Sequence, residues 1–377
     1  MKRNAKGGGS IRQREDGTWE ARCTINGKRR SFYGKKQSEV VKAMRQALSA
    51  ADNGTFTEPS KTTVEQWMNT WAEEYVQGSV KPLTYAAYKT TIRTHIIPTI
   101  GAIRLSTLNP TQVQTFYNDL LRKKQLSPKT VKNVHGIFHK ALEQAVKLRY
   151  IPFNPTDACT IPRADKTEIT PLNEGEIAMF VQEAQTDEYA DILILALFTG
   201  MRRGELCGLS WDAVDFRRGT ISVKQQLCIS RDDYTYYIAT TKSDRIRTLT
   251  APPFIMEMLS RVRKEQAVQR LEMGFLWEDK HNLVFTTPTG HHITPVTLYK
   301  HFKRIADKVG RPDARLHDLR HTYAVTALQE GDDVKTVQQN LGHATASFTL
   351  DVYGHVSEKM KQESANRMQR YFDKIKA

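Results

Sequence analysis

The stretch Arg315–His355, RLHDLRHTYAVTALQEGDDVKTVQQNLGHATASFTLDVYGH, decides how the rest of the chain is read. His317 and Arg320 stand three apart in it, and residues three apart on a helix share a face, so an imidazole and a guanidinium converge on one point. Gly342 follows Leu341 where a left-handed cap would end a helix. The chain can then turn sharply and present His343 beside that pair, with Tyr353 ten residues on and within reach.

Arginine, histidine and a phenol without a carboxylate cluster suit transesterification at a phosphodiester. Arginine offers a planar, permanently charged fork that matches phosphate oxygens, histidine exchanges protons near neutral pH, and tyrosine can form a covalent intermediate. Each residue alone has a plainer reading: a core histidine, a surface arginine in an ion pair, a buried tyrosine. The combination is what points to phosphate chemistry.

The whole chain favours a polyanionic partner. It has 377 residues and a formal net charge of +15, which suggests nucleic acid and two or three domains. Its four cysteines, Cys23, Cys159, Cys207 and Cys228, form no CxxC pair, so neither a zinc site nor a disulfide framework is indicated. The best apolar run, Ile192 to Phe198, is far too short to span a membrane. Met1 is followed by charged and glycine residues rather than an apolar leader, so the expected compartment is a bacterial cytoplasm, in association with the nucleoid.

Charge and turn signals divide the chain into modules over 1–55, 61–155 and 167–377. Met1–Asp52 holds thirteen basic and five acidic side chains, a net +8. Asp16-Gly17 and Asn26-Gly27 mark two hairpins, predicting three strands and then a helix from Ser38. Trp19, Ala21, Cys23 and Ile25 would face that helix. Glu20, Arg22 and Thr24 would face out, with Arg12, Arg14, Arg29 and Arg30 making a cationic sheet of a width that fits a major groove.

From Thr63 onward, four amphipathic helices are expected, with Asn109-Pro110 and Ser127-Pro128 as helix starts. Their basic positions include Lys89, Arg93, Lys129 and Lys132, placed to hold a phosphate backbone. The proline-bearing segment Ile151–Lys166 reads as a linker.

The third module begins with Glu174–Glu183, continues in an apolar helix over Asp191–Phe198 and restarts after Thr199-Gly200-Met201 at Arg202. An arginine at a helix start is placed for an anion, since free backbone N–H groups point the same way. Glu205 would orient Arg202 or cap the helix. Strands are expected over Thr220–Ile229, Tyr234–Thr240 and Arg245–Leu249, with Lys242 at a hairpin tip. Helices follow, the last over Ser357–Ile375 with Met360, Ser364, Met368, Phe372 and Ile375 on a stripe that would pack on its own domain or on a neighbour.

With Arg202, Lys242, His317, Arg320, His343 and Tyr353 in hand, the pattern resembles the tyrosine recombinases, the integrases of phages and conjugative transposons. The matching pieces are TGMRRGEL at Thr199–Leu206, TTKSDRIRTL at Thr240–Leu249, HDLRHT at His317–Thr322, LGHA at Leu341–Ala344 and the tyrosine of LDVYGH. Together they are specific and cover the whole third module. The resemblance implies a multidomain fold, mainly α with small β-sheets: an N-terminal three-stranded sheet plus helix binding arm-type DNA, a helical core-binding domain, and a mixed α+β catalytic domain.

The resemblance further implies that Tyr353 attacks the scissile phosphate and becomes a 3′-phosphotyrosine. Arg202 and Arg320 would bind non-bridging oxygens, His317 would take or position the phenol proton, His343 would donate to a non-bridging oxygen and Lys242 would protonate the leaving oxygen, with Glu205 supporting Arg202. No metal, ATP or other cofactor is needed. Expected partners are double-stranded DNA, further copies of the chain in a synaptic tetramer, an excisionase and a host DNA-bending protein. A type IB topoisomerase uses a similar residue set, and a DNA-binding regulator with a dead site is the reading from another class.

Overall fold

The computed structural model describes residues 9–53, 61–163, 170–230, 233–241, 246–342 and 358–376. Lys242, His343 and Tyr353 lie outside them. The chain divides into two compact units, Met1–Lys166 and Thr167–Ala377.

The first unit opens with β1 (Ser10–Gln13), β2 (Trp19–Ile25) and β3 (Lys28–Gly34), an antiparallel sheet of order β1-β2-β3, followed by α1 (Gln37–Asp52). Ala21, Cys23 and Ile25 on one face of β2 pack with Val40 and Met44 of α1, as the alternation requires. Glu20 does not face water as expected. It is 1% exposed because Arg12 and Arg22 close over it, each Nε at 2.7 Å from a carboxylate oxygen. Hydrogen bonding from Arg22 and then Arg12 outweighs burial and holds that carboxyl down to about 2.

The register also moves one candidate to the other face. Thr24 pairs with Arg29 and Arg22 with Ser31, whereas Cys23 pairs with Arg30, and directly opposite residues share a face. Arg30 therefore lies on the helix-bearing side, and Arg12, Arg22 and Arg29 on the open side. Arg14 sits 5.6 Å from the centroid of the Tyr33 ring.

A second hydrophobic cluster in this unit belongs to α2 (Val64–Trp71), α3 (Pro82–Thr91), α4 (Ile97–Ile100), α5 (Pro110–Arg122) and α6 (Pro128–Lys147). Thr63 and Asn109 cap their helices reciprocally with Gln66 and Gln112. Trp67 is buried and donates its indole N–H to the carbonyl of Ala141 at 2.9 Å. Lys89, Arg93, Lys129 and Lys132 are all exposed. The segment read as a linker is partly built in: Ile151 and Asn154 are buried, and Asn154 donates to the carbonyl of His139 at 3.2 Å.

The second unit contains α7 (Glu174–Ala184), α8 (Ala190–Thr199), α9 (Arg203–Cys207), β4 (Val214–Asp215), β5 (Thr220–Val223), β6 (Gln225–Ile229), β7 (Tyr236–Thr240), β8 (Arg247–Thr250), α10 (Pro253–Met273), α11 (Pro295–Lys308), α12 (Asp318–Gln329), α13 (Val334–Leu341) and α14 (Glu358–Lys376). The single strand expected over Thr220–Ile229 is broken. Lys224 turns out of the ladder to pair with Asp212, so β5 joins the sheet β4-β5-β8 while β6 pairs with β7 alone. The core of this unit lies around α8, whose Ile192, Leu193, Leu195, Ala196 and Leu197 are all buried.

On α14, Met368, Phe372 and Ile375 are exposed, so these members of the stripe are not packed into their own unit. The side chains of Met360 and Ser364 lie outside the description. No helix among the described residues is long and apolar enough to cross a membrane.

Candidate active site

Two left-handed glycines frame the site. Gly200 (φ +61°) ends α8 and Gly342 (φ +65°) ends α13, the conformation that glycine adopts without steric cost. A Cβ on Gly200 would lie 2.6 Å from Leu341 Cδ2, and one on Gly342 would lie 2.9 Å from Arg247 Cδ. The two helix ends therefore close on their neighbours with no room for a side chain.

Each cap turns a carbonyl toward an arginine. Arg320, on the first turn of α12, donates from Nη1 to Gly200 O at 2.6 Å and from Nη2 to Leu341 O at 2.5 Å, and is 2% exposed. Arg202, just before α9, approaches Gly342 O with Nη2 at 3.4 Å, and its side chain stays more open, at 27%. The arginines of two distant motifs thus reach adjacent residues, 341 and 342, immediately before His343 in the chain.

Glu205 both orients Arg202 and caps α9. Its carboxylate accepts from Arg202 Nη1 at 2.9 Å and from the Arg202 backbone N–H at 2.8 Å. The start of α9 is therefore filled by a protein carboxylate and does not offer the open anion seat expected from sequence. Burial alone would raise the Glu205 pKa, but Arg247 and Arg202 outweigh it and hold the carboxyl down to about 2.

His317 precedes the first residue of α12. Although the residue is exposed, desolvation by the surrounding protein, then His321, Arg320 and Arg202, push its pKa down to about 4. The imidazole is therefore neutral at physiological pH. His321 stands edge-on to it, with ring centroids 4.9 Å apart.

Arg202, Glu205, His317 and Arg320 are therefore gathered in one place. Arg247 was not foreseen. It donates from Nη1 and Nη2 to the two Glu205 oxygens at 2.9 and 2.6 Å and from Nε to Asn340 O at 2.8 Å. Its signal was present in the strand: Arg247 shares a face with buried Leu249, whereas its neighbour Ile246 is 69% exposed, an inversion of the usual pattern. Tyr323, a second tyrosine nearby, is held by Asn340, which donates to its hydroxyl at 2.9 Å, and burial raises its pKa. Cys207, at the end of α9, is buried and its thiol is pushed up to about 12 by desolvation.

The comparisons with known proteins agree with this architecture. Residues 171–360 match the model of the phage integrase family, and residues 63–121 match the phage integrase N-terminal SAM-like domain. A tyrosine recombinase XerC-like protein of Caldanaerobacter subterraneus subsp. tengcongensis is 31% identical over 92% of this chain and 93% of its own. An integrase of Saccharopolyspora erythraea is 26% identical over 98% of both chains.

Among solved structures, the Tn1549 transposon integrase in complex with a circular intermediate DNA superposes with a TM-score of 0.69 at 22% identity, covering 81% of this chain and 99% of that one. A lambda integrase dimer bound to a core site gives 0.59 at 17% identity, covering 92% and 96%. These structures share the fold, mainly α with small antiparallel sheets, while the matched sequence model spans the unit in which the two arginines and His317 meet. By that match and by its relatives, the chain belongs to the phage integrase family of tyrosine recombinases.

Proposed function

We propose that this site-specific recombinase cleaves and rejoins double-stranded DNA through Tyr353, with Arg202, Lys242, His317, Arg320 and His343 as the remaining catalytic residues. The Tyr353 phenol oxygen bonds to phosphorus, the bond from phosphorus to the 5′ oxygen breaks, and a 3′-phosphotyrosine and a free 5′-hydroxyl result. His317, neutral at working pH, takes the phenol proton. Lys242 returns a proton to the leaving oxygen and His343 donates to a non-bridging oxygen. Attack by the 5′-hydroxyl of a second duplex reverses the step and joins new partners, so the bond energy is kept and no ATP is consumed.

The observation that carries this reading is the approach of Arg202 and Arg320 to consecutive carbonyls, Gly342 and Leu341. Fixed guanidiniums stabilise charge developing on a pentacoordinate phosphorus without reorganising. The same catalytic set would serve strand swivelling by a topoisomerase. The full-length match to integrases and the extra basic sheet favour recombination.

The 1–55 module would bind arm-type sites through Arg12, Arg14, Arg22 and Arg29 on and beside the open face of its sheet, and the 61–155 module would clamp the core site through Lys89, Arg93, Lys129 and Lys132, leaving 167–377 to do the chemistry. Further copies of the chain complete a synaptic tetramer, as the lambda integrase tetramer on a Holliday junction suggests by its fold, with an excisionase and a host DNA-bending protein setting direction. The exposed stripe of α14 would dock on a neighbouring copy.

The test begins with incubation on a plasmid library and sequencing of the junctions made. The recovered crossover sequence is then built into a nicked trapping duplex. A covalent adduct is expected with the native chain and none with Tyr353→Phe. An adduct that persists in that variant and maps to Tyr323 or Tyr371 would reassign the nucleophile, and no adduct with the native chain would overturn the reading.

A further inference from the structure

Glu205 creates an electrostatic problem. A fully buried carboxylate against Arg202 would, as a pair, be neutral, and a neutral pair gives a phosphate little reason to bind. Yet both Glu205 oxygens are taken by a second guanidinium, that of Arg247, at 2.9 and 2.6 Å, while Arg202 keeps one side-chain contact at 2.9 Å. Each of the three guanidinium nitrogens of Arg247 donates to a protein acceptor, Nε to Asn340 O and Nη1 and Nη2 to Glu205, so it is committed to the protein rather than to a ligand.

We propose that Arg247 is a positioning residue whose charge neutralises Glu205, leaving the three-residue group Arg202, Glu205 and Arg247 with one net positive charge, presented by Arg202. This rests on the reading of Arg202 as a phosphate-binding group and deepens it. Glu205 then sets the geometry of Arg202, and Arg247 cancels the charge that this geometry introduces.

A second contact extends the role. Arg247 Nε holds Asn340 O at 2.8 Å, and its Cδ fills the space beneath Gly342. The strand that begins five residues after Lys242 is thereby tied to the helix end that precedes His343. A lysine could supply the charge but not the fork that spans two carboxylate oxygens and a carbonyl. The inverted exposure of Ile246 and Arg247 fits a residue kept inside for this purpose.

Single-turnover cleavage of the trapping duplex, by the full chain, tests the idea with two scissile groups: an ordinary phosphodiester, and a methylphosphonate in which a methyl replaces one non-bridging oxygen and removes the charge. Arg247→Met should slow cleavage of the phosphodiester by about a hundredfold or more, the scale of losing one preorganised charge-stabilising group. On the methylphosphonate, compared with the native chain on the same linkage, it should lose much less. Glu205→Gln added to Arg247→Met should recover activity, since the uncompensated charge is gone, a coupling that independent losses would not show.

Arg247→Lys should fall between native and Arg247→Met on the phosphodiester. Melting curves and duplex affinity report whether Arg247→Met folds. If it does not, the double variant and Arg247→Lys carry the comparison. Equal losses on the two linkages, with no recovery in the double variant, would reduce Arg247 to a structural tie and overturn the proposal. No adduct with the native chain would instead overturn the assignment of the site itself.

Discussion

Arg320 Nη1 donates to the carbonyl of Gly200 at 2.6 Å, 120 residues away in the chain. A guanidinium from the HDLRHT motif thus holds the left-handed turn of the TGMRRGEL motif. The two motifs are one physical object, and a change in either is felt by the other.

Gly200→Ala should damage both. The left-handed backbone alone costs roughly 1–2 kcal/mol for a side-chain-bearing residue, and the new Cβ meets Leu341 and Tyr323 at 2.6 and 2.7 Å. A lowered melting temperature is expected together with a loss of cleavage that exceeds the loss of duplex affinity. Unchanged melting would mean that the α8 cap is not tight.

Arg320→Lys keeps a charge but cannot span Gly200 O and Leu341 O together. Cleavage should fall by about a hundredfold or more, as for loss of a preorganised donor, with duplex affinity little altered. Gel-shift titration beside the trapping assay separates the two effects.

The depressed His317 pKa has a consequence for stability. An unfolded histidine takes its proton near pH 6.5, whereas the native one takes it only near 4. Between these values the unfolded chain binds more protons, so stability falls as pH drops through this window. His317→Gln should therefore reduce the dependence of melting temperature on pH between 6.5 and 4, leaving the contributions of His95, His135, His292 and His321, whose pKa values are also lowered.

The two faces of the N-terminal sheet should differ in their response to salt. Arg29→Ala, on the open face, should reduce the slope of log affinity against log salt on an arm-type duplex by about 1, the signature of one lost phosphate contact. Arg30→Ala, on the helix-bearing face, should leave that slope unchanged. Equal effects would mean that the sheet does not meet DNA by its open face.

Much of this was legible beforehand because the governing signals are local. Gly342 announces a left-handed end, Asn109-Pro110 a helix start, and the alternation in β2 a sheet face. Glu20 was misread because alternation reports which face a residue takes, not whether neighbouring arginines will fold over it. The break at Lys224 depended on an ion pair with Asp212, and the role of Arg247 on a carboxylate 42 residues away. Such partners are decided by tertiary packing, which periodicity does not encode.

The enclosed thiol of Cys207 bears on durability. Oxidants and alkylating agents act on thiolates that solvent can reach, and this sulfur, two residues beyond Glu205, is buried with its pKa pushed up to about 12. Chemical wear of the second unit by that route must wait for α9 to come away from its packing. Labelling at Cys207 would therefore time the opening of the fold.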